Sequence, residues 1–199
     1  MRKYLDDYEV VVQEDEKGRE KRTAAYVGAY YRINIDDEAL RKFRRNSLIL
    51  LAFVVAAQIG SGFIANTGMY TFFVSLPYIF TFLPLYFLVD GGLRLPKEKR
   101  DFRRDEAELI FKRMKSASKI LFPLLGLTIL ADIVFLIWFA DTSIWLEFLF
   151  IGVQALAMVA VFLIIRMQKP IEVTKIDVED VKIEADISMT GEEDIAEEH

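Results

Sequence analysis

The stretch ILFPLLGLTILADIVFLIWFA, residues 120–140, decides the fold class of this chain. It contains no Lys, Arg or His, and about 20 residues of α-helix, rising 1.5 Å each, cross the 30 Å hydrocarbon core of a bilayer. The stretch therefore predicts a transmembrane helix. It also carries one carboxylate, Asp132. A charge at the centre of a membrane helix costs about 2.5–3.5 kcal/mol on insertion scales, which makes Asp132 a candidate functional residue.

Three further apolar runs of similar length, at residues 48–66, 70–89 and 144–165, also lack basic residues. The composition agrees with them, because 53% of the 199 residues are hydrophobic and the mean hydropathy is +0.25. We therefore expect an all-α membrane protein built on a bundle of four transmembrane helices. The first run begins only at Leu48, behind a polar segment, so we interpret it as a retained span rather than a signal peptide.

The basic residues predict how the chain is oriented in the membrane. Of the 25 Lys and Arg, 11 lie in residues 1–46, 10 in residues 91–119 and 4 in residues 166–199. The connections between the first and second runs and between the third and fourth hold none. Since basic residues are enriched in cytoplasmic loops, we expect a multi-pass protein of the cell membrane with both termini and the central loop in the cytoplasm.

The predicted organisation has six parts. They are a cytoplasmic β-hairpin segment (1–35), an interfacial helix (36–47), a first transmembrane hairpin (48–93), a cytoplasmic amphipathic helix (94–119), a second transmembrane hairpin (120–166) and a cytoplasmic β and acidic tail (167–199).

Residue patterns predict β-structure at both ends of the chain. Gly18 lies in a charged segment between two stretches rich in β-branched and aromatic residues, which indicates a hairpin with strands near 8–14 and 22–33. In residues 171–187, apolar residues are in broken alternation with charged ones, which is typical of one or two half-buried strands. Because an isolated hairpin is marginally stable in water, we expect the N-terminal hairpin and the C-terminal segment to join in one small cytoplasmic sheet.

Two amphipathic segments precede transmembrane runs. Asp36 has the properties of an N-cap, with acids in the first helical turn and bases behind them. In the second segment, Ile110, Met114 and Ala117 share one helical face among basic residues. We expect both helices to lie at the inner membrane interface. The residues expected to contact lipid head groups are Arg41, Lys42, Arg44, Arg45, Arg103 and Arg104. The alternative is that these bases act only as a topology signal.

The two segments also resemble each other. DEALRKFRR at 37–45 and DEAELIFKR at 105–113 share Asp, Glu, Ala, Phe and a terminal Arg at a constant offset. Duplication of a unit made of an interfacial helix and a transmembrane hairpin would explain the similarity. Convergence on acids at the start of a helix and bases at its end explains it as well.

Four polar residues, one in each run, are predicted to form a layer near the middle of the membrane. Counted from the outer turns, Gln58 and Tyr78 lie level with each other, as do Asp132 and Gln154. Small and polar residues share the faces of these four, among them Ser61, Gly62, Ala65, Thr71, Ser75, Thr81, Thr128, Glu147 and Ala157.

Such faces point into a bundle, where polar side chains hydrogen-bond between helices. The layer is therefore either interhelical glue or a site for an ion, a proton or a small ligand. As glue, a neutral Asp132 is expected to bond to Gln154. Glu147 is predicted to differ from Asp132 by roughly 10 Å in depth, too far for the two carboxylates to share a proton.

The sequence gives little support for enzymatic activity. It has no cysteine and one histidine, His199, which excludes disulfides, thiolate catalysis and Ser-His chemistry. It also lacks phosphate-binding glycine loops and the common hydrolase and metalloprotease motifs. We expect no catalytic residue, metal or cofactor.

The hypothesis favoured by the sequence is a non-enzymatic accessory, scaffold or sensor subunit that anchors a cytoplasmic β module. The alternative is an oligomeric cation or proton channel or transporter that uses Asp132. The expected partners are membrane lipids together with a second copy of the chain or a membrane or cytoplasmic protein. No feature points to nucleic acid.

Overall fold

A computed structural model of the protein describes residues 8–14, 20–96, 102–138, 144–171 and 173–176. The described chain is mostly helical, and four of its helices are long and apolar enough to cross a membrane, which confirms the predicted class. The chain divides into two compact units. A helical unit comprises residues 35–99 and 108–171, and a β unit comprises residues 1–34, 100–107 and 172–199.

The first membrane helix of the helical unit, α1, runs from Asp37 to Ser61. Asp36 adopts an extended conformation at the N-cap, although its side chain makes no capping bond. The helix passes the predicted boundary between residues 47 and 48 without a break, so the expected interfacial helix and the first span are one element. It ends five residues before the predicted end of that span. The connection to the next helix is therefore a ten-residue segment, 62–71, instead of a tight turn.

A 3₁₀ turn, Gly68–Tyr70, lies in this connection. Because the orientation predicted from the basic residues places it outside, we call it the outer connection (residues 62–71). Helix α2 then spans Phe72–Leu93. The third membrane helix begins with a π-helical turn, Glu108–Lys112, which continues into α4, Arg113–Trp138. The short helix α3, Arg104–Ala107, precedes it and belongs to the β unit. The fourth membrane helix, α5, spans Ile144–Gln168.

The apolar face predicted for the segment before the third span is buried within the bundle. Ile110, Met114 and Ala117 are each less than 5% exposed. They approach the C-terminal end of α2, where a β-carbon on Gly91 would lie only 3.0 Å from Cβ of Met114. The face expected to contact the membrane surface therefore packs against protein.

Each helix of the first predicted hairpin packs mainly on a helix of the second. Helix α2 lies against α4, α4 against α5 and α5 against α1, while α1 and α2 make the least contact of these pairs. Near the outer end, Val74, Tyr78, Phe135 and Phe150 form a buried apolar cluster. Most other large apolar side chains of these helices are exposed, as expected for surfaces that face lipid.

The β unit contains two sheets. Strands β1 (Tyr8–Glu14) and β2 (Glu20–Tyr26) form an antiparallel hairpin, which confirms the predicted N-terminal hairpin. The predicted second strand is divided, because a separate strand β3 (Tyr30–Ile33) follows after three residues. Strand β3 is the centre of a three-stranded sheet, between β4 (Phe102–Arg103) and β5 (Val173–Ile176).

The predicted link between the two ends of the chain therefore runs through β3 and β5, which pair antiparallel from Tyr30–Ile176 to Ile33–Val173. The C-terminal segment therefore pairs with the last part of the predicted strand 22–33, and the hairpin of β1 and β2 forms a separate sheet. Strand β4 was not predicted, because two residues are too few to show a periodic pattern. The expected β-structure after residue 176 lies outside the described residues.

Candidate functional site: two polar clusters in the bundle

Three of the four residues of the predicted layer meet in one buried group, which we call the amide cluster. Its members are Gln58, Ser61, Tyr78, Thr81 and Gln154. Gln58 Nε2 donates to Gln154 Oε1 at 2.8 Å, and Gln154 Nε2 donates to Ser61 Oγ at 2.9 Å. Thr81 Oγ1 lies 3.1 Å from Gln58 Oε1, and the Tyr78 hydroxyl donates to the backbone carbonyl of Gln58.

Helical geometry explains why these side chains meet. Gln58 and Ser61 are three residues apart on α1, as are Tyr78 and Thr81 on α2, so each pair occupies one helical face. Gly62 lets the two helices approach, because a β-carbon there would lie 2.9 Å from the Tyr78 hydroxyl oxygen. The amide cluster thus ties α1 to α2 and α5, and the polar groups of both glutamines bond to protein partners.

A second polar group, the carboxyl cluster, lies where the outer connection meets α4 and α5. It consists of Asn66, Thr67, Gly68, Asp132 and Glu147. Glu147, which is fully buried, accepts three hydrogen bonds: from Asn66 Nδ2 at 2.8 Å, from the Thr67 amide at 2.7 Å and from the Gly68 amide at 3.0 Å. Hydrogen bonds from N–H donors to a carboxylate are strong because the acceptor carries a negative charge. Glu147 therefore holds the outer connection on the bundle.

Asp132 belongs to the carboxyl cluster and not to the amide cluster. A β-carbon on Gly68 would overlap Asp132 Oδ1 and lie 3.0 Å from Glu147 Oε2, so the two carboxyls are neighbours. The expected bond from Asp132 to Gln154 is therefore wrong, and so is the expected separation of Asp132 from Glu147.

The Asp132 carboxyl is 0% exposed, and neither of its oxygens has a hydrogen-bond partner among the described residues. Asn66 Oδ1, also buried, has no donor in the described part of the chain either. Buried acceptors without partners are rare in native proteins and call for a physical explanation.

The remaining predicted residues lie apart from both clusters. Thr128 is buried, but its hydroxyl bonds to the Leu124 carbonyl of its own helix at 3.0 Å. Arg44 Nε donates to the Leu95 carbonyl at 2.9 Å. Arg41, Lys42 and Arg45 are exposed on α1.

Arg103 and Arg104, which were expected to contact lipid, take part in the β unit. The Arg103 guanidinium lies over the Tyr26 ring, 5.5 Å from its centre. The Arg104 amide donates to the Tyr26 hydroxyl at 3.0 Å, and that hydroxyl donates to the Ala29 carbonyl. Both arginines therefore help to hold the β unit together.

No protein-family model, curated protein or solved structure matches this chain. The case for function therefore depends on the geometry of the two clusters and of the β unit. In the described residues, no group of three or more acidic, histidine or cysteine side chains is placed to hold a metal ion.

Sequence reasoning did not identify Asn66, Thr67 and Gly68 as site residues, because it treated them as part of a short turn. One signal pointed to them. Glu147 is an acid in the first turn of an apolar helix without a basic neighbour in its run. Such an acid needs hydrogen-bond donors, and the nearby outer connection is the source of backbone N–H groups.

Proposed function

We propose that this protein is a non-enzymatic scaffold, accessory or sensor subunit of the cell membrane, which anchors a β module on the cytoplasmic side and presents it to a protein partner. The observation that carries this proposal is the three-stranded sheet. Its strands come from before the first span (β3), between the second and third (β4) and after the fourth (β5). A sheet of this kind requires all three segments to be on one side of the membrane.

The distribution of charge supports the cytoplasm as that side. All 25 Lys and Arg lie in the segments that contain or flank these strands, and the two opposite connections have none. The same arrangement suits lipid head groups, because exposed bases such as Arg41, Lys42 and Arg45 would lie near the anionic inner leaflet.

The β module offers a surface for strand pairing. In the described part of the chain, β5 is an edge of its sheet, and its residues Thr174 and Lys175 are exposed. An exposed edge can accept an additional strand from another protein through main-chain hydrogen bonds. The satisfied amide cluster fits a structural role for the bundle, because it leaves neither glutamine amide free to bind a ligand.

Membrane orientation is tested by cysteine labelling, since the chain has no native cysteine. Thr67→Cys is expected to react with a membrane-impermeant thiol reagent on intact cells, because Thr67 is exposed in the outer connection. Ser116→Cys, near the opposite end of the bundle, is expected to react only after lysis. Reaction of Ser116→Cys in intact cells would contradict the proposed orientation.

Partner binding is tested by photo-crosslinking in living cells. A photoreactive residue in place of Lys175 on β5 is expected to give one adduct of fixed mass with a different polypeptide. The matched control is the same residue in place of Thr67, which is expected to give no such adduct. Adducts with only a second copy of the chain, or equal adducts at both positions, would contradict the proposal.

A second candidate function is cation or proton transport by an oligomer, and one observation favours it. Asp132 and Glu147 are adjacent inside the bundle, and intramembrane acids commonly mark ion or proton paths. The scaffold proposal expects no proton or cation flux above the leak of empty liposomes. Flux that Asp132→Asn abolishes while the protein remains folded would favour transport instead.

A further inference from the structure

In the part of the chain that the structure describes, the two carboxyls of the bundle have no positively charged partner. The helical runs 47–93 and 120–165 contain no Lys, Arg or His. From the outer connection, Asn66, Thr67 and Gly68 approach the pair, and none of them is ionisable. Helix α2 contributes one titratable group nearby, the Tyr78 hydroxyl, which is engaged in the amide cluster. Helices α4 and α5 contribute Asp132 and Glu147 themselves, and residues 46–61 of α1 include no charged side chain. Asp141 lies outside the described residues.

Two negative charges in contact would be unstable in this environment. Each carboxylate loses hydration on burial, and buried charges without a partner become neutral instead. Like charges that share a site cannot both remain ionised. The hydrogen bonds distinguish the two acids: Glu147 accepts three N–H donors, whereas Asp132 accepts none from the described residues.

We propose that Asp132 and Glu147 form a binding site for a single exchangeable proton. The Asp132 carboxylate takes the proton from hydronium and releases water, and the resulting carboxyl donates a hydrogen bond to the ionised Glu147. The proton lowers the charge of the pair from −2 to −1. It also supplies the partner that the Asp132 carboxyl otherwise lacks.

The bound proton keeps the outer connection seated on the bundle. The Gly68 amide donates to Glu147, and a β-carbon on Gly68 would overlap Asp132 Oδ1. Glu147 also accepts from Asn66 and Thr67, so the groups nearest the pair belong to this connection. When the proton leaves, the repulsion between the carboxylates is relieved by moving the connection away and admitting water. This inference goes beyond the scaffold function and does not depend on transport, because a proton can bind without crossing the membrane.

Infrared spectroscopy of the full-length protein in lipid nanodiscs tests the protonation directly. With aspartate carboxyl groups labelled by ¹³C, the wild type at pH 7 is expected to show the band of a protonated aspartic acid, and Asp132→Asn is expected to remove it. An ionised carboxylate band at pH 7 that Asp132→Asn removes would overturn the proposal. If the band of residue 132 changes on addition of Na⁺ or Ca²⁺ at constant pH, the pair binds a metal cation instead of a proton, and the proposal is overturned.

A cysteine reporter tests the effect on the outer connection. Ile64 packs against the buried apolar cluster, whereas its neighbour Phe63 is 85% exposed. The labelling rate of Ile64→Cys, divided by that of Phe63→Cys, removes the effect of thiol ionisation. This ratio is expected to rise with pH by at most about tenfold per pH unit, the limit for one proton. Asp132→Asn is expected to keep the ratio low at every pH.

The two measurements decide different parts of the proposal. A ratio that does not change with pH, while the infrared band is present, would overturn the link to the outer connection. If Asp132→Asn fails to fold, the labelled wild type and Glu147→Gln still test the protonation, because Glu147→Gln removes the charged acceptor and is expected to shift the Asp132 band. An unshifted band in Glu147→Gln would show that the two carboxyls do not share the proton.

Discussion

Replacement of Glu147 tests whether this single side chain holds the outer connection. Glu147→Leu removes the acceptor of three donors, two of which, Asn66 Nδ2 and the Gly68 amide, form buried bonds. A buried donor left without an acceptor costs about 1–3 kcal/mol. Because the Thr67 amide lies at an exposed residue, water can satisfy it. We therefore expect Glu147→Leu to lower the free energy of unfolding by roughly 2–6 kcal/mol, a sum over the two buried donors.

Glu147→Gln is the matched variant, because it removes the charge but keeps the shape and one carbonyl oxygen. That oxygen can still accept from the two backbone amides. The new amide group faces Asn66 Nδ2, and when the Asn66 side-chain amide turns over it can donate to Asn66 Oδ1, which has no donor among the described residues of the wild type. We therefore expect a loss below about 1 kcal/mol, the net value of one exchanged hydrogen bond.

The assay is reversible unfolding by SDS in mixed micelles, combined with amide hydrogen exchange at Thr67 and Gly68. Glu147→Leu is expected to accelerate exchange at both amides, and Glu147→Gln is expected to retain most of the protection. Phe148→Leu, at an exposed neighbouring position, serves as the control and is expected to leave both measurements unchanged. Equal destabilisation by the Leu and Gln variants of Glu147, or no destabilisation by either, would show that the Glu147 carboxyl does not hold the outer connection.

Two further predictions concern the packing of the clusters. Gly68→Ala is expected to lower stability by about 1–3 kcal/mol, because its β-carbon would overlap Asp132 Oδ1, whereas Gly60→Ala meets no atom within 4 Å and is expected to be neutral or stabilising in thermal melts. A double-mutant cycle of Gln58→Leu and Gln154→Leu is expected to give a coupling energy of about 0.6–1.7 kcal/mol, the range for interhelical hydrogen bonds in a membrane protein, and a coupling near zero would contradict the amide cluster.

The membrane class of the fold was predictable from the sequence because it depends on the length and composition of apolar runs. The residues at which the helices begin and end were less predictable. Helix α1 begins well before its apolar run and ends at Ser61, where Gly62 follows, although the apolar run continues to residue 66. Hydropathy cannot distinguish an apolar connection that folds onto the bundle from the last turn of a helix.

The candidate site was predictable only in part for the same reason. Gln58, Tyr78 and Gln154 were correctly grouped, because helical spacing and equal depth describe contacts between straight helices. Asp132 was assigned to the wrong group, because counting residues from a turn assumes that the turn lies outside the bundle. The outer connection instead brings Gly68 down against the two acids, and a contact of this kind depends on tertiary structure.

The β unit shows a similar division. The β-branched and aromatic residues at 8–14 were sufficient to predict β1, but the break after Tyr26 and the two-residue strand β4 carry no periodic signal. Strand β3 begins after this break and pairs with β4 and β5, and membrane spans separate it from both strands along the chain. Pairing over such distances cannot be read from local sequence.

Segments from before, between and after the spans meet in the sheet on one side of the membrane, and a cross-link between β3 and β5 tests this arrangement. Arg32 and Thr174 are register partners, whereas Lys175 is paired with the preceding residue of β3. Antiparallel partners have Cα atoms about 4.5–5.5 Å apart, which is within the range for a disulfide.

The measurement is mild oxidation of the Arg32→Cys, Thr174→Cys double variant in native membranes, followed by mass spectrometry of the linked peptides. The account predicts a disulfide within one chain in high yield, and a much lower yield for the out-of-register pair Arg32→Cys, Lys175→Cys, because neighbouring residues of a strand point to opposite faces. No link in the first pair, or equal yields in both, would contradict the sheet on which the topology and the proposed function depend.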